Sequence, residues 1–459
     1  MSAAPRAEET ISGLAMVAAW VFVLGGALFG LGGQGAAIAA LLLFLALQLR
    51  HCATSTRVHL AVGAALAASV IAVVPAPGAA LAEAMLRACF VTVLFASLGV
   101  LQTAIAGAPR FVAAGEMLVR QPAGRRYFAL SGGAALFGGV LNFGVLPLFG
   151  ALVQGARPAP AGPDSAAAIA LRERRMLLAM LRGFSVVMFW CPLTMAYAIT
   201  TTTVEGANWL GMAGIGLVLA TAVVVLGRYF GNERRAGAAP APATVPFSFA
   251  ALAPVAALLL LLSVLAAGVE EFTAGRLVHG VILFVPLAGL ALLVTVRGRE
   301  GPARLRDYVV RDVPRQRNEI AVLGNAAFCG AAIALLLPEG SVAGILQQFL
   351  AVAAIPALCL AVVVLLGQVG FNPLLSVTVL ASILANPGAI GLDPTVLAVA
   401  LTAGWGLSVG SSSAAAATMM IGRMTGENAW TVGSRWNGAF TLAATGLAMA
   451  VTTALALLR

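Results

Sequence analysis

A charge-free polar cluster, GSSSA at 410–414, sits inside the long apolar run 395–422, with Ser408 close before it. Hydroxyls at this density support three chemistries. They can ligate a cation beside backbone carbonyls, hydrogen-bond a carboxylate, or act as nucleophiles. A nucleophile needs a base, and none of the three histidines, His51, His59 and His279, falls in the middle of an apolar run. No run carries paired aspartates either, so an enzyme is not expected. No GxxxxGK[ST] phosphate loop occurs and the chain has no lysine, so an ATP-driven step would need a separate subunit. The five cysteines, Cys52, Cys89, Cys191, Cys329 and Cys359, form no CxxC pair, and neither zinc nor disulfides are expected. The other account of the serine cluster is close helix packing through small residues.

Two asparagines also interrupt apolar runs. Asn142 lies in LNFGVLP at 141–147 and Asn372-Pro373 in GQVGFNPLLS at 367–376. Gly144, Pro147 and Pro373 disfavour continuous helix, and an Asn side chain can satisfy the backbone groups that a break leaves open. Broken helix ends at membrane depth offer N–H dipoles to anions and carbonyls to cations. The candidate binding residues are therefore Asn142, Gly144, Asn372, Pro373, Ser408, Ser411, Ser412 and Ser413, together with Thr194 in CPLT at 191–194 and Arg182. Arg182 and Arg423 could each attract an anion or snorkel at an interface. Glu83 and Arg87 are spaced to pair with each other, Glu116 in AAGEMLVR suits an interfacial helix, and His279 at a helix start reads as structural. No mid-span carboxylate stands out. Coupling through Na+ held by Asn, Ser and carbonyl oxygens fits this inventory better than proton coupling, which stays open through Glu116 or Glu205. Apart from Na+ as a coupling ion, no cofactor is expected.

The elements that must position these residues are membrane helices. Of 459 residues, 61% are hydrophobic and 10% charged, and the mean hydropathy is +1.00. Apolar runs fall near 11–31, 35–49, 58–76, 88–107, 127–155, 178–200, 208–227, 248–268, 277–296, 319–337, 344–366, 374–390, 395–422 and 436–458. They predict an all-α polytopic membrane protein with about 11–14 hydrophobic segments. Continuous rather than alternating apolar runs exclude a β-barrel. The net charge is +10, all 27 basic residues are arginines, and they concentrate in short loops. That is the positive-inside pattern and not a nucleic-acid surface. Arginine without lysine, with abundant alanine, points to a GC-rich bacterial genome, hence to a bacterial inner membrane. MSAAPRAEET lacks a basic n-region, so the first run is expected to stay as a span.

Four Arg-rich loops, 108–126, 156–182, 228–247 and 297–318, are expected in the cytoplasm; the last carries seven arginines. VEGAN at 204–208, VEEFTAG at 269–275 and PEG at 338–340 are expected outside. Because both flanks of 127–155 are Arg-rich, one straight crossing would end on the wrong side. The segment reads as a re-entrant hairpin turning near Asn142, with a kinked single span as the alternative. The segment 344–390 enters from outside, breaks at Asn372 and leaves to the outside, so it is the upside-down counterpart. Aligned without gaps, Gly183-Phe184 of the segment after the first hairpin meets Gly404-Trp405 of the segment after the second. Cys191-Pro192 then meets Ser412-Ser413. The expected organisation is N-terminal helices at 1–107, a first repeat core at 108–228 and connecting helices with the Arg-rich loop at 229–318. A second repeat core follows at 319–459.

The hairpin, Asn and broken-helix pattern, present twice and inverted over roughly 110–205 and 320–425, resembles the ion transporter superfamily of secondary carriers. That group includes divalent anion/sodium symporters, citrate and C4-dicarboxylate carriers and the arsenite-efflux membrane subunit. In the symporters each hairpin tip carries Ser-Asn-Thr, which helps hold Na+ and substrate carboxylate. Here only the Asn matches, at Asn142 and Asn372, with Ser376 and Thr378 following the second. The resemblance implies a secondary transporter of a small, anionic solute working in the lipid bilayer, with homodimers common in the group. A channel, or a membrane subunit of a larger export system, is the rival expectation.

Overall fold

The computed structural model describes residues 7–157, 163–230, 244–273, 276–337, 344 and 351–458. Among these, all regular secondary structure is helical, and twelve stretches are long and apolar enough to cross a membrane. The protein is a polytopic all-α membrane protein. In chain order its principal helices are α1 Ala7–Phe29, α2 Gln34–Gln48, α3 Thr54–Val73, α4 Pro77–Ile105, α5 Pro109–Val119, α6 Ala123–Leu141 and α7 Val145–Gly155. Next come α8 Pro163–Trp190, α9 Met195–Thr203, α10 Trp209–Gly227, α11 Phe249–Phe272, α12 Leu277–Arg297, α13 Gly301–Asp307 and α14 Arg317–Leu336. The series closes with α15 Ile355–Gln368, α16 Pro373–Ile383, α17 Pro394–Ser411, α18 Ala416–Thr425 and α19 Gly438–Leu458. Their ends follow local chemistry. Proline opens α5, α16 and α17, where the missing N–H costs nothing. Asn208 and Asp393 side chains accept from Gly211 N (2.7 Å) and Val396 N (2.9 Å) as N-caps.

Contacts divide the chain into two compact units that interleave in sequence. The first comprises Met1–Ile105, Leu261–Ile345 and Thr378–Ala385. Within it α4 packs on α12 and α14, α3 on α14, and α1 on α2. The expected Arg-rich loop at 297–318 is helical instead, continuing from α12 through α13 and a π-turn at Tyr308–Asp312. Two features explain this. Arg304–Glu300 (3.5 Å) and Arg311–Asp307 (3.2 Å) are helix-spaced ion pairs. Tyr308, in addition, is buried and donates to the Ala96 carbonyl at 2.6 Å, anchoring the segment on α4. His279 is structural: its Nδ1 accepts from Arg276 N at 2.9 Å at the start of α12, and its ring meets Phe90 edge-on. Arg87 and Glu83 pair at 3.0 Å.

The second unit comprises Ala106–Leu260, Leu346–Val377 and Asn386–Arg459. Within it α6 packs on α8 and α8 on α10; likewise α15 packs on α17 and α17 on α19. The chain reverses at Asn142. In a straight helix Phe137 and Phe149 would be roughly 18 Å apart at 1.5 Å per residue, yet their ring centroids lie 5.2 Å apart. Phe111 of the amphipathic helix α5 packs on Phe137 as well, at 6.2 Å, while Glu116 stays exposed. The base of this hairpin lies at the arginine-bearing end of the unit. There Gln154 donates to Met424 O at 3.0 Å and Arg157 pairs with Glu173 at 3.4 Å.

The two segments aligned by sequence break at matching positions. α8 ends at Trp190 and α9 starts at Met195; α17 ends at Ser411 and α18 starts at Ala416. α8 and α17 pack on each other and run antiparallel. Ser185 lies against Gly406 and Gly410, and further along Asn208 N donates to Thr395 Oγ1 at 3.2 Å. The two copies are therefore inverted. Both are interior, with 94% of the central window of Ala166–Thr203 and 100% of that of Pro394–Thr425 buried. In the second copy α15 starts at Ile355 and the break is Val369–Asn372. Residues 338–343 and 345–350, which include PEG and the expected start of the first limb, lie outside the described residues, as do 231–243 and 274–275.

Candidate functional site

The first half of the site is built on the α6–α7 turn. Asn142 has φ +49° and ψ −130°, a backbone conformation that suits glycine. Its N–H closes α6 on Gly138 O, and its Oδ1 is buried with no hydrogen-bond partner among the described residues. Gly144, half-buried, ends the turn and leads into α7. The turn is packed against the end of α8: Phe143 lies 5.1 Å from Phe184, and Cys191 Sγ donates to Gly139 O at 3.8 Å. Thr194 organises the adjoining break. Its Oγ1 donates to Cys191 O (2.9 Å) and accepts from Tyr197 N (3.4 Å), capping α9.

A strained conformation with an unpaired buried oxygen is the mark of a residue retained for something other than stability. Asn142→Gly should therefore melt higher than the wild type, by about 1 kcal/mol or more, since strain of this kind costs on the order of 1–3 kcal/mol. A variant that melts no higher than the wild type would show that the turn carries no such strain.

The second half forms where α15 and α17 end side by side. Ser408, Ser411 and Ser412 are buried, and Ser413 is half-buried. Ser411 Oγ donates to Leu407 O at 2.8 Å and accepts from Gln368 Nε2 at 2.7 Å. Ser412 Oγ accepts from Ala414 N at 3.1 Å, shaping the break, while its carbonyl accepts from Thr418 Oγ1 at 2.5 Å. Ser408 Oγ, buried against Gly367, has no hydrogen-bond partner among the described residues. Asn372 Oδ1 accepts from Leu374 N at 2.9 Å, and Pro373 opens α16 beside it. The carbonyl end of α17 and the N–H end of α18 thus flank one short break, placing opposite partial charges next to each other.

Arg182 is placed differently. It is 3% exposed, and its guanidinium donates to Asn437 Oδ1 (2.9 Å), Gly227 O (2.8 Å) and Phe230 O (2.5 Å). It also lies over the Phe440 ring at 4.5 Å. A cation at the C-terminal end of α10 meets the carbonyls that the helix leaves unpaired. Asn437 passes the link on, its Nδ2 donating to Gly410 O at 2.9 Å. Arg182 is thus committed to carbonyl oxygens within the fold.

The structure brings Ser408, Ser411 and Ser412 together with the end of α15, and Asn142 together with the α8 break. It does not bring the two breaks face to face. With Ser185 opposite Gly406 and Gly410, the breaks are offset along the antiparallel pair by roughly 15 Å at 1.5 Å per residue. Residues that sequence reading passed over are Gln368, Ser434 and Asn437, which tie the second half together. An amide ending an apolar run shortly before an Asn-Pro break was the available signal for Gln368.

No family model matches the chain, and no curated protein matches it. Among solved structures the chain is similar to the YdaH transporter of Alcanivorax borkumensis, a crystal structure described as revealing an unusual topology. The TM-score is 0.50 at 16% sequence identity, covering 80% of this chain and 83% of that one. At that identity the likeness is one of fold.

Proposed function

We propose that this chain is a secondary active transporter that moves a small organic or inorganic anion by alternating access, coupled to Na+ or H+. One observation carries the reading. Two inverted broken helices each adjoin a helix-turn-helix, and each copy holds buried polar oxygens without a partner among the described residues, Asn142 Oδ1 in the first and Ser408 Oγ with Ser376 Oγ in the second. Buried polar atoms are paired in the great majority of cases, and irregular backbone at membrane depth is tolerated where it is buried in protein or lines a cavity. The likeness to a transporter fold supports the same reading, as does the resemblance to the ion transporter superfamily. Na+ is favoured over H+ because the residues of both halves are hydroxyls, amides and carbonyls, and none is a carboxylate. The setting is a bacterial inner membrane.

The test is flux in proteoliposomes containing the purified chain alone. A panel of radiolabelled inorganic oxyanions and organic mono- and dicarboxylates would be offered under an imposed Na+ or H+ gradient. Accumulation against the solute gradient with one of the two ions is the expected result. Flux that only equilibrates, indifferent to both gradients, would make the protein a channel. Flux that needs an added partner would make it a subunit of a larger export system.

A further inference from the structure

We infer that Gln368 is the clasp that holds the end of α15 against the end of α17 over the buried Ser408–Ser412 stretch, and that this hairpin tip, not the Asn142 turn, is the part that opens. The inference rests on reading that stretch as a solute site, and it assigns the moving part.

Gln368 is the last residue of α15. Its Nε2 donates to Ser411 Oγ at 2.7 Å and its Oε1 accepts from Ser434 Oγ at 3.2 Å. One amide therefore joins three elements: the end of α15, the end of α17, and the π-turn Thr431–Trp436 that leads into α19. The geometry leaves little choice. Ser411 spends its own hydrogen on Leu407 O, so only its lone pairs remain for Gln368. Directly beyond the amide, packing stops. Val369 is 77% and Phe371 48% exposed, and Gly370 between them has φ +100°, which a glycine adopts without cost and most residues do not.

Beneath the clasp the last turn of α17 is buried. Ser408, Ser411 and Ser412 are at most 1% exposed, and Gly367 lies against Ser408 and Ser412 so closely that no side chain fits. Backbone bonds from Val369 N (3.2 Å), Gly370 N (3.1 Å) and Phe371 N (3.0 Å) tie the segment to the last turns of α15, so it moves with them, and an exposed tip joined to its neighbours by the two hydrogen bonds of one side chain is the low-stability kind from which moving parts are drawn. The Asn142 turn contrasts with it. Asn142 is 8% exposed, and Phe143 is seated on Phe184. The two turns occupy matching places in the inverted copies, yet only the second is built to let go.

The experiment uses the full chain in proteoliposomes, with its five cysteines replaced and Ser412→Cys as reporter. A membrane-impermeant methanethiosulfonate reads opening of the tip without any solute. Ala414→Cys, at a position already exposed, controls for intact folding. Adding Gln368→Ala should speed labelling of the Ser412→Cys reporter by roughly ten-fold, the loss of two neutral hydrogen bonds, and leave the Ala414→Cys rate unchanged. Gln368→Glu, which keeps the length but lacks the donor, should also speed it. Unchanged reporter rates in both variants would overturn the clasp.

A cross-link supplies the second arm. A side-chain carbon at position 367 would lie 3.6 Å from Ser412 Cβ, within the range of a disulfide. Gly367→Cys with Ser412→Cys, and Ser408→Ala to make room, should oxidise readily, and adding Gln368→Ala should slow the oxidation several-fold because it lets the two positions part. Equal oxidation rates with and without Gln368→Ala would overturn the assignment of the moving part. Accelerated labelling in a protein that transports none of the offered solutes would uphold the clasp and defeat the transporter reading, so the two fail separately.

Discussion

Arg182→Met should lower the stability of the second unit by about 3–5 kcal/mol, since each buried acceptor left unpaired costs about 1–3 kcal/mol. Three acceptors lose a donor: Asn437 Oδ1, Gly227 O and Phe230 O. Two are backbone carbonyls at and just past the end of α10, and of these Gly227 O keeps the bond from Phe230 N at 3.2 Å. The third belongs to the side chain that holds Gly410 O, so the loss extends to the last turn of α17. Methionine keeps most of the apolar stem against Phe440, which isolates the polar loss. Arg182→Lys should recover only part, because one ammonium cannot reproduce the planar fork that serves carbonyls in different directions. Thermal unfolding in detergent, followed by size-exclusion recovery, measures this. If Arg182 instead binds the solute, the methionine variant should melt like the wild type and lose apparent affinity. That pair of results would return the arginine to the site.

Gly406→Val should cost about 3 kcal/mol or prevent folding, at or beyond the upper end of what overpacking a core usually costs. α8 and α17 approach so closely that a side chain at 406 would meet the Ser185 carbonyl and the Phe189 ring. Backbone cannot step aside as a side chain can. Position 410 makes the contrast, because there the obstacle is the Ser185 hydroxyl. That hydroxyl can rotate at the cost of its 2.8 Å bond to Leu181 O, and replacing a helical glycine by alanine gains about 1 kcal/mol in helix propensity, which offsets the loss. Gly410→Ala should therefore be close to neutral, and Ser185→Ala should relieve whatever cost remains. Gly406→Ala should stay destabilising in either background. Equal tolerance at 406 and 410 would mean that the antiparallel register of the two broken helices is not as described.

Local composition made much of this legible. Long apolar runs bounded by proline and glycine can only be membrane helices, because unpaired backbone is too costly in hydrocarbon. Asn142 beside Gly144 marked an interruption, and arginines at both ends of the run favoured a reversal there over a kinked single span. The pairing of Cys191-Pro192 with Ser412-Ser413 placed two breaks that the fold puts at Cys191–Thr194 and Ser412–Ala415. Helix breaks are written locally, in residues that cannot or need not continue the helix.

What a residue does with its side chain was written elsewhere. Arg182 reads from sequence as an anion attractor or a snorkelling interfacial arginine, yet it serves carbonyls 45 and 48 residues away and an amide 255 away. The arginines of 297–318 read as a loop, yet they ride on helix because Tyr308 finds a carbonyl on α4 far back in the chain. Gln368 carries no local signal stronger than an amide after leucines and a glycine, and its meaning depends on Ser411 and Ser434 being folded beside it. Periodicity and breaks depend on the energetics of a few consecutive residues, so the amino-acid sequence alone determined the helices, the turn at Asn142 and the inverted pair. Hydrogen-bond partners depend on which helices come to rest side by side, so only the tertiary structure decided that Arg182 caps a helix, that the two breaks are offset, and that the Gln368 amide joins the ends of α15 and α17 to the turn before α19.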